Sequence, residues 1–139
     1  MSATVGRLIP DSNFSNTTAL PSGAGTSTSA VFDLVGATLD GNSTFPESVT
    51  LEVTAPADTA LVSAATRKFT VLADSAATPT TALNGYSFTN TGSSGNGAAV
   101  SLRFKLPASV SRYVAVKVDG GTSGSGDSTA ISYTTRLLF

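Results

Sequence analysis

Carboxylates are the main side chains that could do acid–base chemistry in this 139-residue chain, because histidine and cysteine are both absent. Without those two residue types the chain lacks the common ligands of zinc and copper and the usual proton carrier near neutral pH. Two acidic pairs, Asp33 with Asp40 and Asp119 with Asp127, could each lie near one end of a sheet. Glycoside hydrolysis needs two carboxyls about 5 to 10 Å apart across a cleft. Asp40 and Asp119 are each followed by glycine, however, which is typical of turns. We therefore expect turns here rather than a catalytic pair.

Hydroxyl nucleophiles are abundant, but a Ser or Thr is inert without a base beside it, and a Ser–Lys pair would be the remaining route. Arg103 and Lys105 alternate with apolar residues, which indicates outward side chains that are solvated or ion-paired across an interface. Nothing resembles the alternating acidic run of a calcium loop, and the glycines of residues 92–97 lack the ending of a phosphate loop. We expect no enzyme activity, cofactor, metal or small-molecule substrate.

The charge is low and balanced. Lys and Arg number 8, Asp and Glu number 9, and charged residues make up 12% of the chain. Nucleic-acid binders usually carry a basic stripe, and none is visible, so no nucleic-acid partner is expected. No apolar run approaches the roughly 20 residues that span a bilayer, and the start of the chain lacks the apolar region of a signal peptide. We expect synthesis in a cytoplasm and no membrane partner.

Alternating apolar and polar residues predict several β-strands separated by turn formers. The clearest is residues 100–106, in which Val100, Leu102, Phe104 and Leu106 are predicted to point inward. Similar alternation occurs in residues 49–54, 69–72, 113–118 and 130–139, with a weaker strand at 30–34. Phe32, Phe69, Tyr133, Tyr86 and Phe88 are expected in the core.

Turn signals separate these segments at Asp40-Gly41-Asn42, Asn84-Gly85 and Asp119-Gly120-Gly121. The Ala-rich residues 59–66 are the best candidate for a short helix, although the pattern does not favour one. Short strands with Gly/Pro turns are typical of a sandwich or barrel. We predict an all-β, antiparallel β-sandwich of the jelly-roll kind at 29–139, preceded by an irregular N-terminal arm or extended segment at 1–28. Its residues 11–28 show almost no periodicity.

With these strands in order, the chain resembles the small jelly-roll capsid cement (decoration) proteins of tailed bacteriophages. Four segments carry the resemblance, and the most specific is Leu106-Pro107 followed by a short spacer, Arg112-Tyr113 and an apolar strand. The others are residues 29–34 after a Ser/Thr/Gly-rich lead, residues 48–53 followed by 69–72, and residues 129–133 after a Gly-rich loop.

The resemblance implies a structural virion protein on the outer surface of a capsid. Such a protein binds the major capsid protein, commonly as a homotrimer, and bridges neighbouring capsomers. Arg103, Lys105 and Arg112, with Asn13 and Phe14 of the arm, are then the expected subunit or capsid contacts. The three potential glycosylation sequons of the chain, among them Asn13-Phe14-Ser15, are expected to be chance matches.

Other functions remain open at this point. A receptor- or glycan-binding β-module, such as a phage tail-fibre domain, is the alternative, and exposed aromatic side chains on loops would favour it. A pilus or surface-layer subunit would require a cleaved leader or a donor-strand groove. A hydrolase would require activity that is lost when Asp33 or Asp119 is changed.

Overall fold

The computed structural model describes residues 10–34, 49–94, 96–121 and 126–138. In this part of the chain the named secondary-structure elements are all β-strands. No helix there is long and apolar enough to cross a membrane. The strands are β1 (Pro10–Ala19), β2 (Thr26–Thr28), β3 (Phe32–Asp33), β4 (Thr50–Ala55), β5 (Thr66–Asp74), β6 (Ala82–Thr91), β7 (Val100–Lys105), β8 (Tyr113–Gly120) and β9 (Ser132–Leu138).

The strands form two antiparallel sheets. Sheet I has the order β1-β9-β4-β7, and sheet II has the order β2-β8-β5-β6, with β3 pairing to β8 alongside β2. The pairing is nested: β1 pairs with β9, β2 and β3 with β8, β4 with β7, and β5 with β6. A long antiparallel ribbon rolled up in this way is a jelly roll. The structure therefore confirms the predicted all-β sandwich.

The core lies between the two sheets and is formed by the apolar residues of the alternating patterns. Leu51 and Val53 of sheet I and Val114, Val116 and Val118 of sheet II are all 0% exposed. Phe69 of sheet II and Tyr133 of sheet I meet edge to face across this core, with ring centroids 6.0 Å apart. Because the alternation matches the strand period of two, it identified the inward face of these strands correctly.

Residues 11–28, predicted as an irregular arm or an extended segment, are largely extended strand. Pro10–Ala19 is strand β1 at the edge of sheet I, and Thr26–Thr28 is strand β2 at the edge of sheet II. The inward positions of β1 include Asn16, whose Oδ1 accepts a 2.7 Å hydrogen bond from the Thr135 hydroxyl. This polar pair lies on the core side of sheet I, where an apolar contact would be usual. The strand therefore has no apolar period. Residues 1–9 lie outside the described residues.

The Asn84-Gly85 signal marks a bulge rather than a turn. Both residues lie inside β6, where Gly85 has a φ of +83° and the register with β5 shifts between Thr70 and Leu72. The connection between β5 and β6 is instead formed by residues 75–81. Asp74 holds it, since its carboxylate accepts hydrogen bonds from the Ser75 amide at 2.8 Å and the Thr81 hydroxyl at 3.2 Å.

Residues 59–65 form turns leading into β5 and contain no helix, in agreement with a pattern that does not favour one. Two further predictions differ from the structure. The weak strand at 30–34 is reduced to Phe32–Asp33. Phe88 is 39% exposed because β6 is an edge strand, whereas Phe104 and Tyr86 pack partly buried against the core. The predicted turn signal at Asp119-Gly120-Gly121 coincides with the end of β8, and residues 122–125 lie outside the described residues. The predicted turn at residues 40–42 lies outside the described residues.

Candidate interaction surface

Three charged side chains form a row across the outer face of sheet I. The register places Glu52 of β4 directly between Arg136 of β9 and Arg103 of β7. Arg103 donates from Nε to Glu52 Oε2 at 2.9 Å, and Arg136 donates from Nε to Glu52 Oε1 at 2.5 Å. The Glu52 side chain is 5% exposed, while those of Arg103 and Arg136 are 59% and 38% exposed. The carboxylate therefore holds both guanidinium groups in place and is itself hidden beneath them.

The two arginines stabilise the ionised form of Glu52. Burial alone would raise the pKa of this carboxyl, but the hydrogen bonds and charges of Arg103 and Arg136 oppose it. The net effect lowers the pKa of Glu52 below its ordinary value of 4.5. Because the two arginines bind the ionised carboxylate of Glu52 in the folded protein, the row contributes stability at neutral pH.

We expect this contribution to disappear in acid. A pKa that is lower in the folded state gives stability above the unfolded pKa, and that stability is lost as the pH falls through the folded value. Glu52→Gln should therefore lower the free energy of unfolding near neutral pH, and the difference from wild type should shrink below about pH 4.5. Urea unfolding of both proteins from about pH 3 to about pH 7 measures this. A difference that does not change with pH would contradict the role of Glu52 as a buried anion.

A second row of side chains on this face consists of hydroxyls. Thr17 of β1 lies opposite Thr134 of β9, which lies opposite Thr54 of β4, which in turn lies opposite Ser101 of β7. The Thr17 and Thr134 hydroxyl oxygens are 3.2 Å apart. On the other side of the charged row, Lys105 of β7 is exposed and lies opposite Thr50.

We name this surface the basic face. It combines hydroxyls with three exposed cations and one hidden carboxylate. Its members are Thr17, Thr50, Glu52, Thr54, Ser101, Arg103, Lys105, Thr134 and Arg136.

The surface around sheet II has a different charge pattern, because its described cations and anions balance. Lys117 Nζ lies 3.3 Å from Asp119 Oδ2, and Arg112 binds Asp33 through two hydrogen bonds of 2.8 Å. Lys68 and Asp74 stand at opposite ends of β5. A charged partner would therefore distinguish the two faces of the sandwich.

A buried ionic cluster joins the loops at one end of the sandwich. Arg67 is 0% exposed, and its guanidinium donates to the carbonyls of Gly23 at 2.9 Å and Gly126 at 3.1 Å and to the Ser128 hydroxyl at 3.1 Å. Ser128 in turn donates to Asp58 at 2.7 Å, and Arg67 Nε lies 3.6 Å from Asp58 Oδ2.

The cluster connects the described parts of four loops at that end. Asp58 belongs to the β4–β5 loop and exchanges two backbone hydrogen bonds with Gly97 of the β6–β7 loop, at 2.9 and 2.8 Å. Gly23 lies in the β1–β2 loop and Ser128 in the β8–β9 loop. This arrangement holds the loops together and leaves the buried charges paired, which favours a structural role over a chemical one.

The predicted contact residues do not form one surface. Arg103 and Lys105 both belong to the basic face. Arg112 lies just before β8, with its guanidinium 4.9 Å above the Tyr113 ring. Phe14 is half-buried and packs against the core, and Asn13 lies in β1 with its side chain outside the described part. Whether any of them touches another subunit or a capsid stays a prediction.

Sequence reasoning missed Glu52, Arg136 and the Asp58–Arg67 cluster. A signal for Arg67 was present, because Arg67 stands two residues before Phe69 and therefore points to the same, inward side of β5. The Glu52 row had no such signal. Its three members lie on strands far apart in the sequence, and only the register of sheet I brings them together.

The acidic pairs considered for catalysis are engaged separately. Asp33 binds Arg112, Asp119 binds Lys117, and the Asp127 carboxylate accepts hydrogen bonds from the Thr129 amide at 3.0 Å and hydroxyl at 2.7 Å. Asp40 lies outside the described residues. Within the described ranges, no three acidic side chains converge as metal ligands would.

Comparison with known proteins assigns no family. No family model matches the chain, and no curated protein matches it. A solved structure of the carbohydrate-binding module CBM36, in complex with calcium and xylotriose, is similar to it with a TM-score of 0.38 and 11% sequence identity. The alignment covers 95% of this chain and 92% of that one. A likeness at this level assigns neither a sugar site nor a calcium site to the protein.

Proposed function

We propose that this protein is a non-catalytic structural protein of a bacteriophage virion. It binds the outside of the capsid, bridges neighbouring major capsid protein subunits and so stabilises the shell. The observation that carries the proposal is the basic face, a rigid sheet surface that presents hydroxyls and exposed cations. The resemblance of the sequence to capsid cement proteins supplies the kind of partner. In this proposal the protein is made in the host cytoplasm and acts on the virion surface as a homotrimer.

The most specific segment of the resemblance forms a well-anchored corner between β7 and β8. Leu106 and Val110 are 3% and 6% exposed, and the Leu106 amide donates to the Val49 carbonyl at 2.9 Å. The Leu34 amide donates to the Arg112 carbonyl at 2.9 Å, beside the ion pair of Arg112 with Asp33. The corner therefore supports the fold, and the contact surface of the proposal lies elsewhere, on the basic face.

The size of the basic face favours binding in many copies. Four strands spaced about 4.8 Å apart and about six residues long cover roughly 300 Å². A stable interface takes about 800 Å² from each partner. One contact through this face is therefore weak, and strong attachment needs several linked contacts. An oligomer bound to a repeating shell supplies them.

Glycan binding is the second candidate, and one observation favours it, although the aromatic residue concerned lies on a strand and not on a loop. Phe88 is the large aromatic side chain that the described residues leave exposed, at 39%. A sugar ring stacks on such a face. The ring of Tyr113, by contrast, is covered by the Arg112 guanidinium at 4.9 Å. A glycan-binding module would bind a glycan array as an isolated protein and would not bind shells stripped of glycans.

Co-sedimentation with purified phage capsids tests the proposal. We expect the full-length protein to sediment with shells that lack it, to saturate, and to raise the temperature at which the shells break. The N-terminal deletion for this experiment is residues 1–9, because removing residues 1–28 would delete β1 and β2 and so disrupt both sheets. A full-length protein that leaves every expanded shell unbound would overturn the proposal.

A further inference from the structure

We propose that the basic face recognises an acidic strip on a protein surface, and that Arg103, Lys105 and Arg136 are the residues that select it. This inference rests on the proposed function for the identity of the partner, the outer surface of the shell protein. The chemistry of recognition comes from the face itself.

The charge that a partner would meet on this face is positive. Among the side chains of this face that the structure describes, Glu52 is the anion, and it is 5% exposed beneath two arginines that are 59% and 38% exposed. Lys105 is exposed two residues along β7 from Arg103, about 7 Å away. Charge complementarity therefore calls for carboxylates on the partner.

The arginines are also held in position before binding. Glu52 binds the Nε of each arginine, which restrains both side chains on neighbouring strands of a rigid sheet. Arg103 and Arg136 lie on either side of β4, so their Cα atoms are about 10 Å apart. A restrained cation loses less side-chain entropy when it binds a carboxylate.

A protein partner fits this face better than nucleic acid. DNA-binding proteins commonly neutralise about 6 to 10 phosphates, whereas the basic face offers three cations and one internal anion. Its hydroxyl row, Thr17, Thr134, Thr54 and Ser101, can donate to and accept from backbone and side-chain groups of a protein. The face thus suits a modest contact with a mixed polar, acidic surface.

Charge reversal at matched positions tests the inference. Lys105→Glu changes the basic face, and Lys68→Glu is its control, because Lys68 is also an exposed strand lysine but lies on sheet II. Lys105→Gln removes the charge without reversing it. Far-ultraviolet circular dichroism and urea unfolding check that each variant folds. The probes are purified capsids lacking this protein, immobilised poly-glutamate and duplex DNA, each at low and high salt.

We expect Lys105→Glu to weaken capsid binding about tenfold and Lys105→Gln to weaken it less, with Lys68→Glu close to wild type. Binding should also weaken as salt rises.

If Lys105→Glu and Lys68→Glu both bind capsids as wild type does, the inference is overturned and the proposed function stands. If no version binds capsids but poly-glutamate is bound in a Lys105-dependent way, the proposed function fails and the acidic-partner inference stands. Lys105-dependent binding that is tighter to DNA than to poly-glutamate overturns the protein partner, and no binding to any probe overturns both proposals.

Discussion

Arg67→Met is expected to lower the free energy of unfolding by about 3 to 5 kcal/mol. The substitution removes the cation of a buried pair and leaves the Asp58 carboxylate, in a residue that is 2% exposed, without its opposite charge. It also removes the donors that bind the carbonyls of Gly23 and Gly126 and the hydroxyl of Ser128. Since domains of this size are stable by about 5 to 15 kcal/mol, the loss is a large fraction of the total.

Arg112→Met is the matched control for this prediction. Arg112 makes two hydrogen bonds of 2.8 Å with Asp33, so its geometry is at least as good as that of Arg67. Its side chain is 48% exposed, however, and that of Asp33 is 40% exposed. Exposed pairs contribute little to stability, because water solvates both ions in the unfolded and folded states.

Urea unfolding of the two variants measures the difference. The midpoint should fall much further in Arg67→Met than in Arg112→Met, with similar slopes if both remain two-state. Adding Asp58→Asn to Arg67→Met should recover part of the loss, because the uncompensated charge is then gone. Equal losses in the two single variants would show that the buried cluster contributes no more than an exposed pair.

Gly92→Ala is expected to destabilise the fold by about 3 kcal/mol, the upper part of the range for overpacking. A Cβ at this position would lie 2.2 Å from the Val62 carbonyl oxygen and 2.8 Å from that of Leu61. Both obstacles are backbone atoms, which cannot rotate away. The backbone hydrogen bonds that join Gly92 to Ala65 and Ala64, at 2.9 and 3.0 Å, hold the two segments together and prevent an easy shift.

Gly85→Ala is the control that separates space from backbone conformation. A Cβ at Gly85 would meet nothing within 4 Å, but the residue has a φ of +83°. An L-residue in this region costs about 1 to 2 kcal/mol. We expect thermal or urea unfolding to rank Gly92→Ala as the less stable variant. The reverse order would mean that the loop at Val62 yields readily and that backbone strain dominates.

Local patterns predicted the inward faces of the central strands and of the edge strand β7 correctly, and they failed at the edge strands β1 and β6. In β4 and β8, apolar residues alternate with polar ones because one face of each strand meets the core. In β1 the inward Asn16 bonds to Thr135 instead, so the strand has no apolar period to read. In β6 the edge position leaves Phe88 exposed despite its apolar side chain.

The Asn-Gly pair shows a second reason for failure. Asn84-Gly85 favours positive φ, and both a tight hairpin turn and a bulge can use that conformation. Which of the two forms depends on where the neighbouring strand pairs. Asp74 closes the connection at residues 75–81, and the bulge follows inside β6.

The candidate site was predicted only in part. Arg103 and Lys105 were identified as outward cations by their alternation with apolar residues in β7. Their neighbours on the basic face could not be identified, because Glu52 and Arg136 are 51 and 33 residues away from Arg103 in the chain. Nothing local distinguishes Glu52 from an ordinary solvated glutamate.

Three properties can be read from the residues without the structure. They are the absence of histidine and cysteine chemistry, the low charge, and the period of two that predicts a sandwich. These properties are compositional or local, so no neighbouring strand is needed to read them. Which strands become neighbours, and hence the Arg136–Glu52–Arg103 row and the contact of Arg67 with Asp58, was decided only by the nested pairing of the jelly roll. Pairing and register depend on how distant faces pack together, and a one-residue shift in register would move every outward side chain of a strand to the other face.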